Sequence, residues 1–322
     1  PGNRDTSDAP LWLCVAAAEM AEASRQADFL DTFQAADGRL LRNILLSIGR
    51  SYAGGTSNGI RMDPESALVF SPAHFTWMDT QHPVGTPREG FPIEIQALWH
   101  RALLLLSRIE PSGPWTGLAQ RARASFRSLF ESPEKPWAAD CILAPPGCPA
   151  RRGTPDWSLR PNQLFAVTLG LADEPRLARK IVAACEELVV PGAMRSLADR
   201  PATTPLAIFH QGRMLGDPNH PYRGRYEGDE DASRKPAYHN GTAWTWLLPV
   251  YAEALLAAYG AEAKDAVFSL LGSAATLFEQ GCAGHLPEIL DGDYPHTMRG
   301  CWAQAWSASE LARVLAFAEK FV

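Results

Sequence analysis

Apolar residues recur at helical spacing along almost the whole chain, and short and long connections alternate between these stretches. This periodicity predicts about nine helices, arranged as hairpins. Their predicted bounds are Leu11–Ala23, Phe29–Gly49, Pro92–Ile109, Pro114–Phe130, Leu164–Leu171, Glu174–Val189, His239–Tyr259, Ala263–Gln280 and Trp302–Phe321. No alternation of strand and helix patterns is present, so we predict an all-α fold with minor β structure in the long loops.

The long connections are the second organising feature of the sequence. They cover residues 58–92, 136–155 and 195–234, and they are punctuated by Gly and Pro. The first contains strand-like pieces at Ala67–Phe70 and His74–Trp77. Loops of this length inside a compact domain usually carry function. If the hairpins stand side by side, the long loops meet on one rim, and we expect one catalytic domain spanning residues 1–322.

Composition excludes several classes of partner. The net charge of −6, without a basic cluster, argues against nucleic acid. No apolar run of about 18 residues is present, so we predict no membrane span. No signal peptide is visible either, and we expect a cytoplasmic protein with reduced cysteines. Cys141 and Cys148 are nevertheless close enough in sequence to close a small loop. Composition does not predict an oligomeric state.

Metal and cofactor signatures are missing from the sequence. There is no Gly-rich phosphate loop, and no second His or Cys stands at ligand spacing from His239. The Asp291-Gly292-Asp293 turn lacks the spacing of a calcium-binding EF-hand loop. We therefore predict neither a metal nor a cofactor.

Residues 285–307 form the stretch that most resembles a binding pocket. They combine acidic residues, aromatic residues and an amide, and Pro and Gly residues interrupt any regular element in the first half. Such a loop is poor material for a core. It suits the floor of a pocket for a ligand that is polar but has a flat apolar face, and sugars fit that description. Glu288 is the acidic residue of greatest interest here.

Three further stretches bring acidic, amide and aromatic residues together. In residues 75–100, Asp79 follows Trp77 in an irregular loop, and Glu94 stands at a helix start. Asp79 could equally be a turn residue, and Glu94 could simply stabilise the helix dipole. The other two stretches precede apolar helices and hold the remaining polar candidates: Arg160, Asn162, Gln163, His239, Asn240 and Trp244. For these, a polar helix entry and a satisfied structural histidine are the alternatives.

Hydrolysis of a glycosidic bond needs two carboxyl groups on either side of it. One protonates the leaving oxygen, and the other activates a water from about 6.5–9.5 Å away in inverting enzymes, or attacks directly from a shorter distance in retaining enzymes. Asp79 and Glu288 are the loop-borne acids in the two most aromatic loops. They are the best candidates for such a pair.

Several motifs together resemble the C-terminal, amylo-α-1,6-glucosidase family of glycogen debranching enzymes. They are TWMDTQHPVGTPREGFPIEIQALW, LRPNQLFAV, MRSL, DPNHPYRGRYEGD, AYHNGTAWTW and HLPEILDGDYPHTMRGCWAQAWSASE, and they stand in the family's order over nearly the whole chain. The resemblance implies an (α/α)6 toroid and an inverting glucosidase that acts on α-1,6-linked glucose at branch points of glycogen-like glucans. It assigns Asp79 as general acid and Glu288 as general base. The implied substrate-binding residues are Trp77, Glu94, Arg160, Asn162, Gln163, His239, Asn240, Trp244, Asp293, His296 and Gln304.

The sequence departs from the family pattern in three places. The family's earlier WGRD segment, with about three more helices, and its N-terminal β-rich domain have no counterpart here. Residues 233–236 also replace the RDA that often precedes AYH. We therefore expect either a fragment or a toroid that is incomplete at its N-terminal side. The alternatives to a debranching glucosidase are an (α/α)6 enzyme for another α-linked sugar and a glucan-binding module with impaired catalysis.

Overall fold

Helices form the framework of the chain in a computed structural model, which describes residues 4–24 and 28–321. The α-helices are α1 (Ala9–Ser24), α2 (Phe29–Thr32), α3 (Leu41–Gly54), α4 (Ile93–Ile109), α5 (Trp115–Phe130), α6 (Leu164–Thr168), α7 (Pro175–Cys185), α8 (Lys235–Tyr238), α9 (Leu247–Tyr259), α10 (Lys264–Gly272) and α11 (Ala305–Ala318). The predicted helical class is confirmed, although α8 is a single turn that the periodicity did not indicate.

The longer helices alternate between two kinds of environment. The series α1, α4, α6, α9 and α11 forms a chain in which each helix contacts the next. Helix α4 is buried on nearly all sides, whereas α5 and α7 bury one face and leave the other exposed. The charge of Arg313 on α11 acts on Glu19 of α1, so the last helix of the series approaches the first. Helices α4, α6 and α9 are thus the buried middle of the series, whereas α1 and α11 at its two ends each bury one face.

Proline and glycine set the helix ends that the sequence predicted best. Pro92 and Pro114 are the residues immediately before α4 and α5, where a missing N–H costs nothing. Gly55 ends α3 with a φ of 96°, a conformation that favours glycine. The predicted ends of α4 and α5 are accordingly confirmed.

Most predicted helices are longer than those in the structure: Leu164–Leu171 ends at Thr168, Glu174–Val189 at Cys185 and Ala263–Gln280 at Gly272, and Trp302–Phe321 is helical only from Ala305 to Ala318. Two further predicted helices differ for visible local reasons. The segment Phe29–Gly49 is broken after Thr32, because the backbone turns at Gly38 (φ 82°) and Asp37 accepts the N–H of Arg39. The segment predicted to start at His239 becomes helical only at Leu247. A strand precedes it, and its ladder hydrogen bonds override the helical preference of the apolar residues. The predicted strand at 74–77 is also absent from the described structure.

The β structure consists of very short antiparallel strands contributed by the long loops. They are β1 (Arg61–Met62), β2 (Val69–Phe70), β3 (Gly90–Pro92), β4 (Cys141–Leu143), β5 (Thr154–Asp156), β6 (Val189–Val190), β7 (Ala193–Arg195), β8 (Phe209–His210), β9 (Arg213–Met214), β10 (Ala243–Trp244), β11 (Ile289–Leu290) and β12 (Met298–Arg299). One sheet has the order β12-β11-β10-β7-β6, with Trp244 opposite both Ile289 and Met194. This sheet brings the loop of Glu288 next to Trp244.

The cysteines form no disulfide bonds, and the helices are those of a chain without a membrane-spanning segment in its described ranges. All six cysteines are free, so the possible Cys141–Cys148 loop closure is not formed. Cys141 is buried on β4, where burial raises the pKa of its thiol well above the ordinary value. In the described ranges, no helix is both long and apolar enough to span a bilayer.

Gly90 is a position at which the fold should not tolerate a side chain. A Cβ there would lie against the carbonyl oxygen of Ile142 and 2.8 Å from the backbone nitrogen of Ala144, and φ is 132°. We expect Gly90→Ala to lower the free energy of unfolding by at least about 1–3 kcal/mol, through backbone strain alone. Gly117→Ala is the matched control, since nothing lies within 4 Å of its added Cβ in α5. Equal melting temperatures for the two variants would contradict this interpretation.

Candidate active site

Glu288 is held by three hydrogen-bond donors just before strand β11. Its Oε1 accepts from the Tyr238 hydroxyl at 2.7 Å and from Gln304 Nε2 at 3.1 Å. Its Oε2 accepts from the backbone N–H of Cys301 at 3.0 Å. An ionised carboxylate only accepts hydrogen bonds, so three donors match that form. The side chain is half-buried and its orientation is fixed.

The backbone around Glu288 explains how the loop holds this carboxylate. The Glu288 N–H donates to Cys301 O at 2.8 Å, and Thr245 N–H donates to Glu288 O at 3.3 Å. At Gly300 a Cβ would collide with Glu288 Oε2, and φ is 66°. The loop after β12 can therefore approach the carboxylate only because residue 300 has no side chain.

Tyr238 contacts Glu288 and lies within electrostatic range of Asp79. Burial raises the pKa of Tyr238, its hydrogen bond to Glu288 raises it further, and the charge of Asp79 contributes in the same direction. The hydroxyl therefore stays protonated and keeps donating to Glu288. Both acids thus lie within electrostatic range of one phenol. Sequence reasoning left Tyr238 out of the site residues, although it directly precedes His239 in the AYHNG motif.

Asp79 occupies a different environment from Glu288. Its side chain is exposed to solvent, yet the surrounding protein removes part of its hydration. This partial burial raises the pKa of Asp79, and the negative charge of Asp8 adds to the effect. Asp79 consequently keeps its proton to a higher pH than an ordinary aspartate. A carboxyl group that reaches solvent and still carries a proton can donate it to a ligand.

Aromatic rings form the wall beside these acids. The Trp77 ring stands nearly perpendicular to Trp244 and Trp246, with centroids 5.2 Å away in each case. Trp306 stacks on Trp246 at 4.8 Å with an interplanar angle of 18°. Edge-to-face and stacked pairs of this kind rigidify a cluster beyond their area of contact. Trp246 and Trp306 are therefore structural members of the site that sequence reasoning missed.

His239 fastens the Asp79 loop to this wall. Its Nδ1 lies 2.8 Å from the hydroxyl of Thr80, the residue after Asp79. Its ring stacks on Trp244 at 5.2 Å with an angle of 9°. Burial holds the pKa of His239 well below the ordinary value, and the cation of Arg160 lowers it further. His239 is therefore a neutral positioning group at physiological pH.

Five of the predicted substrate-binding residues lie in a buried polar layer behind the aromatic wall: Glu94, Arg160, Asn162, Gln163 and Asn240. Their polar atoms contact one another and the backbone. Arg160 Nη2 donates to Asn240 Oδ1 at 2.7 Å, and Gln163 Oε1 accepts from the backbone N–H of Ala138 at 3.1 Å. The structure thus gives these residues a supporting position, and their direct contact with substrate stays a prediction.

An ionic chain runs through this layer and ends at Trp77. Arg88 Nη2 donates to Glu94 Oε2 at 2.7 Å, and Arg88 Nε donates to Asp140 Oδ2 at 2.7 Å. Asn162 Nδ2 then donates to Asp140 Oδ1 at 2.8 Å, and Asn162 Oδ1 accepts from Trp77 Nε1 at 2.8 Å. The buried ions therefore orient the tryptophan two residues before Asp79.

Asp293 and His296 lie farther along the loop that carries Glu288. Asp293 accepts from the Tyr222 hydroxyl at 2.8 Å and lines an open recess with Arg225. His296 has a φ of 60°, and its Nδ1 lies 3.1 Å from the carbonyl oxygen of Asp291. These two half-buried residues remain reachable by a ligand.

Asp291 does not compete with Glu288 for a role in proton transfer. It is buried, and Arg299 donates to its Oδ2 through Nε at 3.0 Å and Nη2 at 2.9 Å. The backbone N–H of Tyr226 donates to its other oxygen at 2.7 Å. Asp291 is thus buried and paired with a cation, whereas Glu288 is half-buried and accepts only from neutral donors, and this difference favours Glu288 as the candidate for proton transfer.

Comparison with known proteins establishes the family. Residues 2–313 match the family described as amylo-alpha-1,6-glucosidase. The chain belongs to this family. The resemblance predicted from the sequence motifs is thereby confirmed over nearly the whole chain. No curated protein matches the sequence directly.

Solved structures share the fold of this amylo-alpha-1,6-glucosidase family member at low sequence identity. An uncharacterised conserved protein from Thermus thermophilus is 13% identical, with a TM-score of 0.60 over 98% of this chain and 79% of that one. A rhamnosidase from Klebsiella oxytoca with rhamnose bound is 11% identical, with a TM-score of 0.52 over 97% and 47% of the two chains. A GH78 family rhamnosidase of Bacillus sp. GL1 is 13% identical, with a TM-score of 0.53 over 97% and 26%. The chain thus spans about half of the Klebsiella enzyme and a quarter of the Bacillus enzyme. Family and fold together are those of glycoside hydrolases.

Tyr238→Phe tests whether the hydroxyl acts through Glu288. The variant removes the 2.7 Å hydrogen bond and keeps the ring against Trp244. We expect kcat to fall about 10- to 150-fold, because a hydrogen bond to a charged group contributes about 1.5–3 kcal/mol. The acidic limb of the pH–rate profile should move as well, since the charge of Glu288 is differently solvated. Steady-state kinetics across pH measure both, and a fall in kcat with an unmoved profile would contradict the assignment.

Arg88→Met tests the buried ionic chain. The substitution leaves the buried Glu94 carboxylate without its cation and leaves Asp140 with only Arg160, whose Nε lies 3.8 Å away. Breaking a buried pair in this way typically costs about 3–5 kcal/mol. Chemical denaturation measures the loss, with the surface variant Arg39→Met as the control because its ion pair with Asp37 is exposed. A loss no larger than that of the control would show that the chain does not support the site.

Proposed function

We propose that this chain is an inverting glucosidase that hydrolyses α-1,6-linked glucose at branch points of glycogen-like glucans. Asp79 is the general acid and Glu288 the general base. The observation that carries this proposal is the contrast between the two carboxyl groups: three donors hold Glu288, whereas partial loss of hydration raises the pKa of the solvent-exposed Asp79. Family membership supports the choice of a glucosidic bond.

The proposed reaction uses the difference between the two acids. Asp79 gives its proton to the glycosidic oxygen as the bond between that oxygen and the anomeric carbon breaks. Glu288 takes a proton from a water, and the water oxygen bonds to the anomeric carbon from the opposite face. The leaving glucan regains a hydroxyl, and the released glucose is the β-anomer. Proton exchange with solvent returns both carboxyl groups to their starting states.

The helical framework supports a toroid of the (α/α)6 type as part of this proposal. The series from α1 to α11 returns toward its own start, and the long loops converge beside β10. Such a ring would place the acids at one mouth, with the aromatic wall as its lining. The catalytic domain would then span residues 1–322, and the polar ligand would be an oligosaccharide or glucan.

Asp79→Asn and Glu288→Gln test the acid–base pair. General acid–base catalysis contributes about 10²–10⁴-fold, so each variant should lose activity on a branched limit dextrin by that factor. Proton NMR during the first turnovers should show β-glucose from the unaltered protein, because inversion follows from attack opposite the leaving group. Appearance of α-glucose first would contradict the proposed mechanism. Full activity of Asp79→Asn would remove Asp79 as the acid.

Asp79→Asn should also change the stability of the fold, in a direction that depends on pH. The folded-state pKa of Asp79 is raised, so stability falls as pH rises from the unfolded pKa through the folded pKa. Asparagine carries no such penalty. The variant should therefore melt at the same or a higher temperature at pH 7, and its advantage should disappear below about pH 4. A lower melting temperature at pH 7 would indicate a structural role for Asp79.

Substrate choice separates this function from its alternatives. Release of glucose from α-1,6-linked glucosides, without release of any other α-linked sugar from its glycosides, supports the debranching assignment. Release of a different sugar would instead identify another α-glycosidase. Binding of branched dextrin without any release, measured by calorimetry, would identify a glucan-binding module.

A further inference from the structure

A recess of about 250 Å³ lies apart from Glu288 and uses none of the predicted site residues. Three loops and Pro221 build it. Its lining combines two tryptophans, aliphatic side chains, hydroxyl groups and two basic residues: Lys135, Trp137, Trp157, Ser158, Leu159, Leu197, Ala198, Arg200, Pro201, Ala202, Thr203 and Pro221. We call this surface the tryptophan recess.

Hydrogen bonds between its loops shape the tryptophan recess in advance of any ligand. Trp137 Nε1 donates to the carbonyl oxygen of Trp157 at 2.9 Å. The backbone N–H of Trp157 donates to Thr203 Oγ1 at 3.2 Å, and Ala198 N–H donates to Leu159 O at 3.0 Å. The loops are thus tied to one another at three points. A ligand would not have to order them, and this saves the entropy that loop ordering usually costs on binding.

Donor groups at the recess have no partner within the part of the chain that the structure describes. Neither the Trp157 indole N–H nor the Lys135 ammonium makes a hydrogen bond or ion pair there. Arg200, by contrast, pairs with Glu187 at 3.0 Å and holds its guanidinium 5.4 Å from the Trp137 ring centre. The recess therefore offers aromatic surface together with unused donors.

This combination selects a neutral polyhydroxylated ligand. The face of a tryptophan ring accommodates the C–H face of a pyranose, and free donors can bind its hydroxyl oxygens. Common small-molecule pockets have volumes of about 300–1,000 Å³. The smaller volume of the recess suits one or two sugar rings of a longer chain. The overall charge of −6 disfavours a polyanion with aromatic bases.

We propose that the tryptophan recess is a second carbohydrate site, which binds glucose units of the α-1,4-linked chain of a branched glucan. The role assigned to it rests on the proposed function. Leu159 and Leu197 of the recess adjoin Arg160 and Ser196, and Arg160 Nη1 donates to Ser196 O at 3.1 Å. The recess is thus built on the polar layer that supports the active site. It holds the polymer near the acids while a branch reaches them.

Maltoheptaose is the probe for this site, because it is linear and has no α-1,6 bond to hydrolyse. Isothermal titration calorimetry should show about tenfold weaker binding for Trp157→Ala, from loss of the aromatic contact. Lys135→Ala should weaken binding by a smaller factor with the fold unchanged, and Trp157→Phe should lie between Trp157→Ala and the unaltered protein. Melting temperatures show whether Trp157→Ala is folded. Phe209→Ala is the matched control, since Phe209 is 56% exposed and lies outside the recess.

Kinetics with two substrates connect the recess to catalysis. Trp157→Ala and Lys135→Ala should raise KM on glycogen limit dextrin several-fold and leave kcat/KM on a short α-1,6-linked trisaccharide unchanged. If folded Trp157→Ala and Lys135→Ala bound maltoheptaose with unaltered affinity, the tryptophan recess would not be a carbohydrate site, whatever the catalytic result. The two proposals can also fail separately. If these variants lose maltoheptaose binding but the unaltered protein hydrolyses no α-1,6 bond, the carbohydrate site in the recess is supported and the proposed function is refuted.

Discussion

The interaction on which the site depends most is the buried contact of Arg88 with Glu94 and Asp140. Burial lowers the pKa of Arg88, but the two carboxylates more than offset this and leave it charged. A charge without solvent is tolerable only when its partners are close and well directed. The resulting chain joins the start of α4, the loop before β4 and the entry to α6. Segments that share no helix are thereby held in one arrangement.

The chemistry of the site follows from giving two similar carboxyl groups opposite surroundings. Asp79 loses hydration and is under the negative charge of Asp8, so its protonated form is favoured. Glu288 receives a phenol, an amide and a backbone N–H, all of which suit its charged form. Tyr238 donates to Glu288 and remains neutral, because burial and the neighbouring Glu288 carboxylate both raise its pKa. In the proposed mechanism, the protein obtains an acid and a base from residue types that differ by one methylene.

Much of the helical framework could be predicted because its signals are local. The proline before α4 and the apolar period that follows are visible in the sequence, and the structure agrees. The break at Gly38 was missed because apolar residues continue on both sides of it. Asp79 and Glu288 could be selected from loop position and motif, whereas Arg88 could not. Its role depends on Asp140, 52 residues away, and no local pattern encodes that contact.

The close approach of Gly300 to Glu288 has a consequence for how this loop can vary. The carboxylate occupies the volume that a side chain at position 300 would need, so Glu288 in this position requires a glycine at 300. Substitutions at the exposed Trp302 leave that fit untouched. An insertion between 288 and 300 that put a larger residue at position 300 would instead displace the Glu288 carboxylate. Substitutions in this loop are therefore tolerated best at its outward-facing residues. Its length can vary little, because the residue beside the carboxylate has to be a glycine.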